Sequence, residues 1–374
     1  MHTIWTFTST SGKSILELEE FRNESGDASH QRSKSGGVRP GDGVRCLLQR
    51  PPLQRRQSRG CPVGSSREKS QEDDRRSARL EGRRIQSHER LKYGDPLMRL
   101  AIATSKNELP SSDEALKAAL GEQGMTADPV LWSSPGVAWQ SYDAVVIRSC
   151  WDYHLRLKEF LDWINQLEHA GVAVLNSPSL IRWNVNKLYL KELSAKGVRI
   201  PKTVWLDPGE EADLARVCSS GGWANAVVKP LVSASAYKTD RNRVGIVKGP
   251  AMIQEYLTPI ETNGEWSLMY FGGCFSHAVR KMPASGDFRV QTEFGGTVVA
   301  AVPQQAMLAF AVATIARLPE PASIARVDVL EDEDGFVLVE MEVIEPELFL
   351  GLAPGSERLA ARAIMRSLVG AITR

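Results

Sequence analysis

The sequence predicts an α/β protein of two parts, a small parallel α/β domain followed by an α+β domain rich in antiparallel sheet, behind a long basic N-terminal segment. Three features lead to this reading. Strand-like and helix-like stretches alternate from Met98 to about residue 180, the spacing of βαβ units. From about residue 200 the pattern changes to successive short apolar runs. Upstream of Met98 the chain is rich in Arg, Gly, Ser and Pro and has few apolar positions.

Taken in order, "MRLAIAT" reads as a first strand and "SSDEALKAALGEQG" as a helix, with Ser111 and Glu114 at capping-box spacing and Gly121 or Gly124 to end it. "YDAVVIRS" is a buried strand, a helix spans about 156–170, and "VAVLN" is a further strand. One helix is predicted over "SLIRWNVNKLYLKELSAKG", placing Lys187 within it, before the strand "VRIPKTVWL". After a short helix near 210–219, "NAVVKPL", "RVGIVK", "AMIQEYL", "EWSLMYFGG" and "CFSHAVRK" read as strands. A helix over about 303–317 precedes a hairpin in "RVDVLEDEDGFVLVEMEVIEP", and "SERLAARAIMRSLVGAI" closes the chain as an amphipathic helix.

Length and composition bound the class. The 374 residues are 42% hydrophobic and 24% charged, ordinary for globular proteins, and they can bury a sizeable core. No apolar run is long enough for a membrane helix and no secretory signal is recognisable, so a cytoplasmic location is expected. The five cysteines show no C-x-x-C pattern and are expected as free thiols. Residues 1–97 hold 19 Lys+Arg against 13 Asp+Glu, whereas the remainder holds 27 against 32. This basic extension is expected to be disordered, and Met98 reads as the natural start. Nucleic acid is disfavoured as its partner because no aromatic residues interleave with the arginines.

The chemistry concentrates in the hairpin. Val337, Val339, Met341 and Val343 are expected on one apolar face, with Glu340 and Glu342 on the other among Phe336, Leu338 and Ile344. Arg326 and Asp328 share a face of the first strand. Like charges two residues apart on a strand, roughly 7 Å, repel, so three convergent carboxylates suggest a hard cation that takes oxygen ligands. A calcium loop at Asp332, Asp334 and Gly335 fails, because Leu330 and Met341 would stand at its anchoring positions. Removing the central charge by Glu340→Gln is accordingly expected to leave the fold intact or slightly more stable. Upstream, Lys229 ends an apolar run before Pro230 and the small-residue loop "VSASA", which suits gripping phosphate; no Walker A motif is present.

Together these segments resemble the ATP-grasp superfamily, in its glutathione synthetase and RimK-like branch of carboxylate–amine ligases, from Met98 to about Leu350. The resemblance implies an ATP-grasp fold with a pre-ATP-grasp domain over 98–180 and an ATP-grasp domain over 181–374, its small subdomain at about 200–257 and its metal and catalytic subdomain at about 258–374. It also implies roles. Asp328, Glu340 and Glu342 would hold two Mg²⁺ ions, with Mn²⁺ as a substitute, and Glu342 stands where Asn is usual. Lys187 and Lys229 would contact phosphates, and Gln254, Glu255 and Leu257 in "IQEYL" would form the adenine hinge. Glu265 in "NGEW" would bind ribose, with Glu261 as rival. Arg289 in "GDFRVQTEFGG" and Arg326 would serve catalysis. A nearer likeness is to bacterial members of the cycloserine-forming, O-ureido-serine cyclo-ligase type, through "RSCWDY", "SHAV-x-K" and "E-x-E-x-I-E-P-x-L-F-L". It nominates Arg148 and Asp152 for substrate.

The resemblance thus implies an ATP- and Mg²⁺-dependent ligase that joins a small carboxylate to an amine through an acyl phosphate, with no membrane partner and a homo-oligomer left open. His277 reads as structural. One departure supports an alternative, a degenerate nucleotide-binding protein without turnover: the stretch between Lys229 and Gln254 shows no helical pattern where relatives carry a helix, and Lys238 stands where a small residue is common.

Overall fold

The computed structural model describes residues 98–234 and 239–372; the extension 1–97 and Lys238, with the readings made of them, lie outside the described residues. The first layer is a parallel sheet of β1 (Met98–Thr104), β2 (Met125–Leu131), β3 (Ala144–Ile147) and β4 (Ala173–Leu175), in the order β2-β1-β3-β4. The reading above passed over β2, whose "MTADPVL" carries Asp and Pro. It is an edge strand, where a missing N–H is tolerated. Helix α1 (Ser111–Glu122) follows β1, and α2 (Leu157–His169) follows β3. The expected capping box is absent: Pro110 precedes α1 and no side chain caps it.

Alternation along β1 sends residues to two cores. Leu100 and Ile102 pack with Leu116 and Leu120 of α1 and with Ile364 and Leu368 of α8 (Ser356–Ile372). Ala101 and Ala103 join Phe160, Trp163 and Ile164 of α2 on the other face. The last helix of the chain therefore packs on the first sheet, so a boundary at residue 180 does not partition the packing.

The single helix expected after β4 is two, α3 (Pro178–Asn184) and α4 (Leu188–Ala195), with Lys187 in the break as the residue that starts the second. Next comes an antiparallel sheet, β5-β10-β7-β8, of β5 (Thr203–Leu206), β7 (Ala226–Pro230), β8 (Asp240–Asn242) and β10 (Ala251–Glu255). A small ribbon of β6 (Glu211–Asp213) and β9 (Ile246–Lys248) and helix α5 (Leu214–Gly221) accompany it. No helix lies between Lys229 and Gln254 among the described residues.

The third sheet has the order β13-β12-β11-β14-β15, all antiparallel. Its strands are β11 (Glu265–Phe271), β12 (Cys274–Met282), β13 (Thr297–Ala301), β14 (Ile324–Asp332) and β15 (Gly335–Glu342). The half-exposed edge strand β13 was not foreseen. Helices α6 (Pro259–Asn263) and α7 (Gln305–Ile315) accompany this sheet, and Met307 and Ala311 of α7 cover one of its faces with Leu268, Val327, Leu338 and Met341.

Candidate functional site

Strand register assembles the site. Directly paired residues share a face, and β11, β12, β14 and β15 pair Glu265 with Lys281, Ser267 with Asp328, Asp328 with Glu340, and Arg326 with Glu342. The register depends on a β-bulge between Asp328 and Val329, where Asp328 opposes Glu340 but Val329 already opposes Leu338. Val339 is the extra residue, and the faces exchange there. The apolar face expected of Val337, Val339, Met341 and Val343 is therefore divided. Val337 and Val339 pack with Leu330, Tyr256 and Phe288, while Met341 and Val343 join Leu338 and Phe336 beneath α7.

The result is a cleft of about 320 Å³ between this sheet and the β5-β10-β7-β8 sheet. One oxygen each of Asp328, Glu340 and Glu342 lies within 4.8 Å of the others, a hard donor set that fits a divalent cation. Four cations surround the trio. Arg326 grips Asp328 through Nε and Nη2 at 2.9 and 2.8 Å and also pairs with Glu342. Lys187 donates to Glu340, and its own backbone N–H donates to Leu231 O at 2.8 Å, fixing the helix break. Lys281 lies 3.5 Å from Asp328 and pairs with Glu265. Gly264 makes this possible: at φ +68° a Cβ there would lie 2.4 Å from the Lys281 carbonyl oxygen. Lys229 faces the same cleft and makes no ion pair among the described residues.

These neighbours split the carboxylates. Burial raises the Asp328 pKa, but Arg326 and Lys281 bring it down to about 2. For Glu340 burial is likewise outweighed by Lys187 and Lys229, and the group is held below the ordinary range. Glu342 goes the other way, because burial together with Glu340 and Asp328 overcomes Arg326 and pushes it up to about 7. Glu345, just beyond β15, is pushed up to about 8 by burial and by Glu342. Burial lowers the Lys229 pKa despite Glu340. The expectation that removing the Glu340 charge relieves repulsion is thus corrected: Glu340 is the well-compensated member and Glu342 the poorly compensated one.

On the facing wall of the cleft, Val227 and Lys229 of β7 share a face with Gln254 of β10. Gln254 is buried and donates to Thr203 Oγ1 at 3.3 Å, Glu255 pairs with Lys202 at 3.4 Å, and Leu257 lines the wall. Glu265 lines the cleft, whereas Glu261 is turned to Arg241 at 2.7 Å and to the Tyr256 hydroxyl. Arg289 also lines it, clamped by Asp287 at 2.7 Å and stacked 3.6 Å from the Phe294 ring centroid. Two nominated residues do not join the cleft lining. Arg148 is buried against Asp113 Oδ1 at 2.8 Å and Pro346 O at 2.7 Å, and Asp152 accepts from Trp132 Nε1 at 2.8 Å. Their neighbours Trp151 and Tyr153 line it instead. His277 bonds Leu348 O through Nε2 at 2.8 Å, a structural tie. Lys281 and Ser267, which donates to Asp328 at 2.6 Å, were missed as site residues.

Known proteins are similar to this chain in sequence and fold. The family model of the D-cycloserine synthetase DcsG N-terminal domain matches residues 100–176. The cycloserine biosynthesis protein DcsG of Streptomyces lavendulae is 30% identical over 297 residues, covering 72% of this chain and 98% of that protein. The crystal structure of D-cycloserine synthetase DcsG superposes with a TM-score of 0.64 at 26% identity, over 72% of this chain and 99% of that one. The D-alanine–D-alanine ligase of Bacillus anthracis shares the fold, with a TM-score of 0.55 at 13% identity over 74% of this chain and 99% of that one. At 30% identity over 98% of that protein's length, the chain belongs to the family of the cycloserine biosynthesis protein DcsG, among the ATP-grasp ligases that form carbon–nitrogen bonds.

Proposed function

We propose that this protein is an ATP- and Mg²⁺-dependent ligase that activates a small, amino-acid-like carboxylate as an acyl phosphate and captures it with an amine, releasing ADP. The observation that carries the reading is the juxtaposition of Asp328, Glu340 and Glu342 with Lys187, Lys229, Lys281 and Arg326 around one cleft. Adenine would sit against Gln254, Glu255 and Leu257, and the ribose near Glu265. Lys187, Lys229 and Lys281 would draw the phosphate oxygens toward the carboxylates and offset charge as the phosphoryl transfers. Asp328, Glu340 and Glu342 would hold two Mg²⁺ ions. Bound there, the ions would neutralise charge on the nucleotide phosphates and polarise the terminal phosphoryl. Arg289, held by Asp287 and stacked on Phe294, would meet the transferred phosphoryl from the cleft lining.

The test is ADP release from Mg·ATP across a panel of amino acids, dipeptides and the ring-closing substrate of cycloserine synthetases, with hydroxylamine added to trap an acyl phosphate as a hydroxamate. Hydroxamate formed in step with ADP supports the mechanism. ATP binding without ADP from any acid would favour the second reading, a nucleotide-binding protein without turnover. That reading is motivated by the absence of a helix between Lys229 and Gln254 among the described residues.

A further inference from the structure

We propose that Glu345 is the residue that seats the ammonium group of this ligase's amino-acid-like substrate. The proposal deepens the ligase reading and rests on it for the identity of the neighbouring nucleotide end. The cleft lining holds eight carboxylates against five cations. The buried acids toward the nucleotide end already have partners: Glu340 has Lys187, Asp328 and Glu342 share Arg326, and Glu265 has Lys281. Glu347 is satisfied by Ser112 and by the Phe349 N–H at 2.9 Å.

Glu345 differs. It is 7% exposed and lines the cleft, yet makes no ion pair among the described residues. Among the described residues no other side chain donates a hydrogen bond to its carboxylate, which turns back to the N–H of its own backbone. A buried carboxylate without a countercharge is costly, and a ligand that brings one recovers that cost. The surroundings suit a cationic amine. Trp151 and Tyr153, beyond the carboxyl end of β3, line the same cleft, where ligands of α/β sheets gather and where aromatic walls favour a cation. The position is also fixed, because Trp151 Nε1 donates to the Glu345 carbonyl at 3.3 Å and Arg148 Nη2 to that of Pro346 at 2.7 Å. This gives the buried Arg148 a part in the site without contact to substrate: it holds the loop that presents Glu345.

Isothermal titration of the protein saturated with AMP-PNP and Mg²⁺ tests the assignment independently of turnover. The probes are D-cycloserine and both enantiomers of alanine and serine, each amino acid set against its 2-hydroxy counterpart, lactate or glycerate. At least one amine probe should bind, with its hydroxy counterpart weaker by roughly tenfold or more. Glu345→Gln, which keeps the shape, should weaken that probe by roughly tenfold while leaving AMP-PNP affinity within about twofold, and Glu345→Asp should recover part of the loss. The assignment is overturned if no amine probe binds at millimolar concentration, if the hydroxy acid binds as well, or if Glu345→Gln leaves amine affinity unchanged. It is equally overturned if Mg²⁺ alone, without nucleotide, binds in a Glu345-dependent way. Failure of the ligase reading shows elsewhere, as the absence of ADP formation.

Discussion

Glu340 and Glu342 stand two residues apart on one strand, yet their conversion to glutamine should move stability in opposite directions. At pH 8 without metal or nucleotide, Glu342 is charged in the folded protein at the cost of a pKa raised from an ordinary 4.5 to about 7. At 1.36 kcal/mol per unit this is roughly 3 kcal/mol of destabilisation, and Gln removes it while still accepting from Arg326, which keeps Asp328. We expect Glu342→Gln to gain about 1–3 kcal/mol. The sign follows from proton counts: between pH 4.5 and 7 the folded state holds a proton that the unfolded state has lost, so the penalty accumulates as pH rises. The gain should shrink toward zero near pH 5. Glu340→Gln instead strips Lys187, 7% exposed, of its charged partner and leaves Lys229 with less compensation. Because Glu340 retains 30% side-chain exposure and Gln still offers an acceptor, the loss should be about 1–3 kcal/mol, below that of a fully buried pair. At about 2–4 °C per kcal/mol, the two variants should melt several degrees apart on opposite sides of wild type. Thermal melts in EDTA at pH 8 and pH 5 decide the matter. A Glu340→Gln protein that melts above wild type, or a Glu342→Gln gain that persists at pH 5, would refute the charge balance argued here. With Mg·ATP both should lose turnover, Glu340→Gln the more.

Three further expectations can be checked on the same material. Lys229→Met should leave the melting temperature unchanged or higher, because burial already depresses the lysine's pKa, while nucleotide affinity falls roughly 10- to 100-fold in a titration with AMP-PNP. Lys281→Met should cost about 2–4 kcal/mol in denaturant unfolding, since it leaves Glu265 without its cation and Asp328 with Arg326 alone. The melting difference between Glu345→Gln and wild type should open as pH rises from about 5 to 8 and close in acid, because the Glu345 pKa is raised to about 8. A difference independent of pH would mean that Glu345 is compensated in the folded state.

Much of the fold was legible because its signals are local. The strands of the parallel sheet with one exception, the hairpin at Asp334-Gly335 and the closing helix follow from periodicity and turn residues. The exceptions share a cause. Strands β2 and β13 lie at sheet edges, where one side needs no ladder partner, so Pro129 and the exposed Val299 blurred the pattern. The helix break at Lys187 was hidden because "NVNKLYLKEL" keeps helical periodicity through it; the break is held by a long-range bond to Leu231. Arg148 and Asp152 were nominated from a motif at a strand end, and sequence does not say which of six neighbouring side chains turn inward.

The sequence by itself determined the acidic hairpin, the strand lysine and the order of motifs whose family resemblance implies one ligase, because motif order and the alternation of strands are properties of the chain. Two β-bulges, visible only in the tertiary structure, decided which residues meet. Counted from the Gly272-Gly273 turn without slippage, Glu265 would oppose Arg280; the bulge between Met269 and Tyr270 places Lys281 there instead. Counted from the Asp334-Gly335 turn, Asp328 would oppose Val339; the bulge after Asp328 brings Glu340 opposite it. A one-residue slip turns every later side chain to the other face of a sheet, and no local pattern records it. The charge balance depends on that same register, which brings Lys281 to Asp328, already paired with Arg326 of its own strand, and leaves Glu342 and Glu345 short of positive charge.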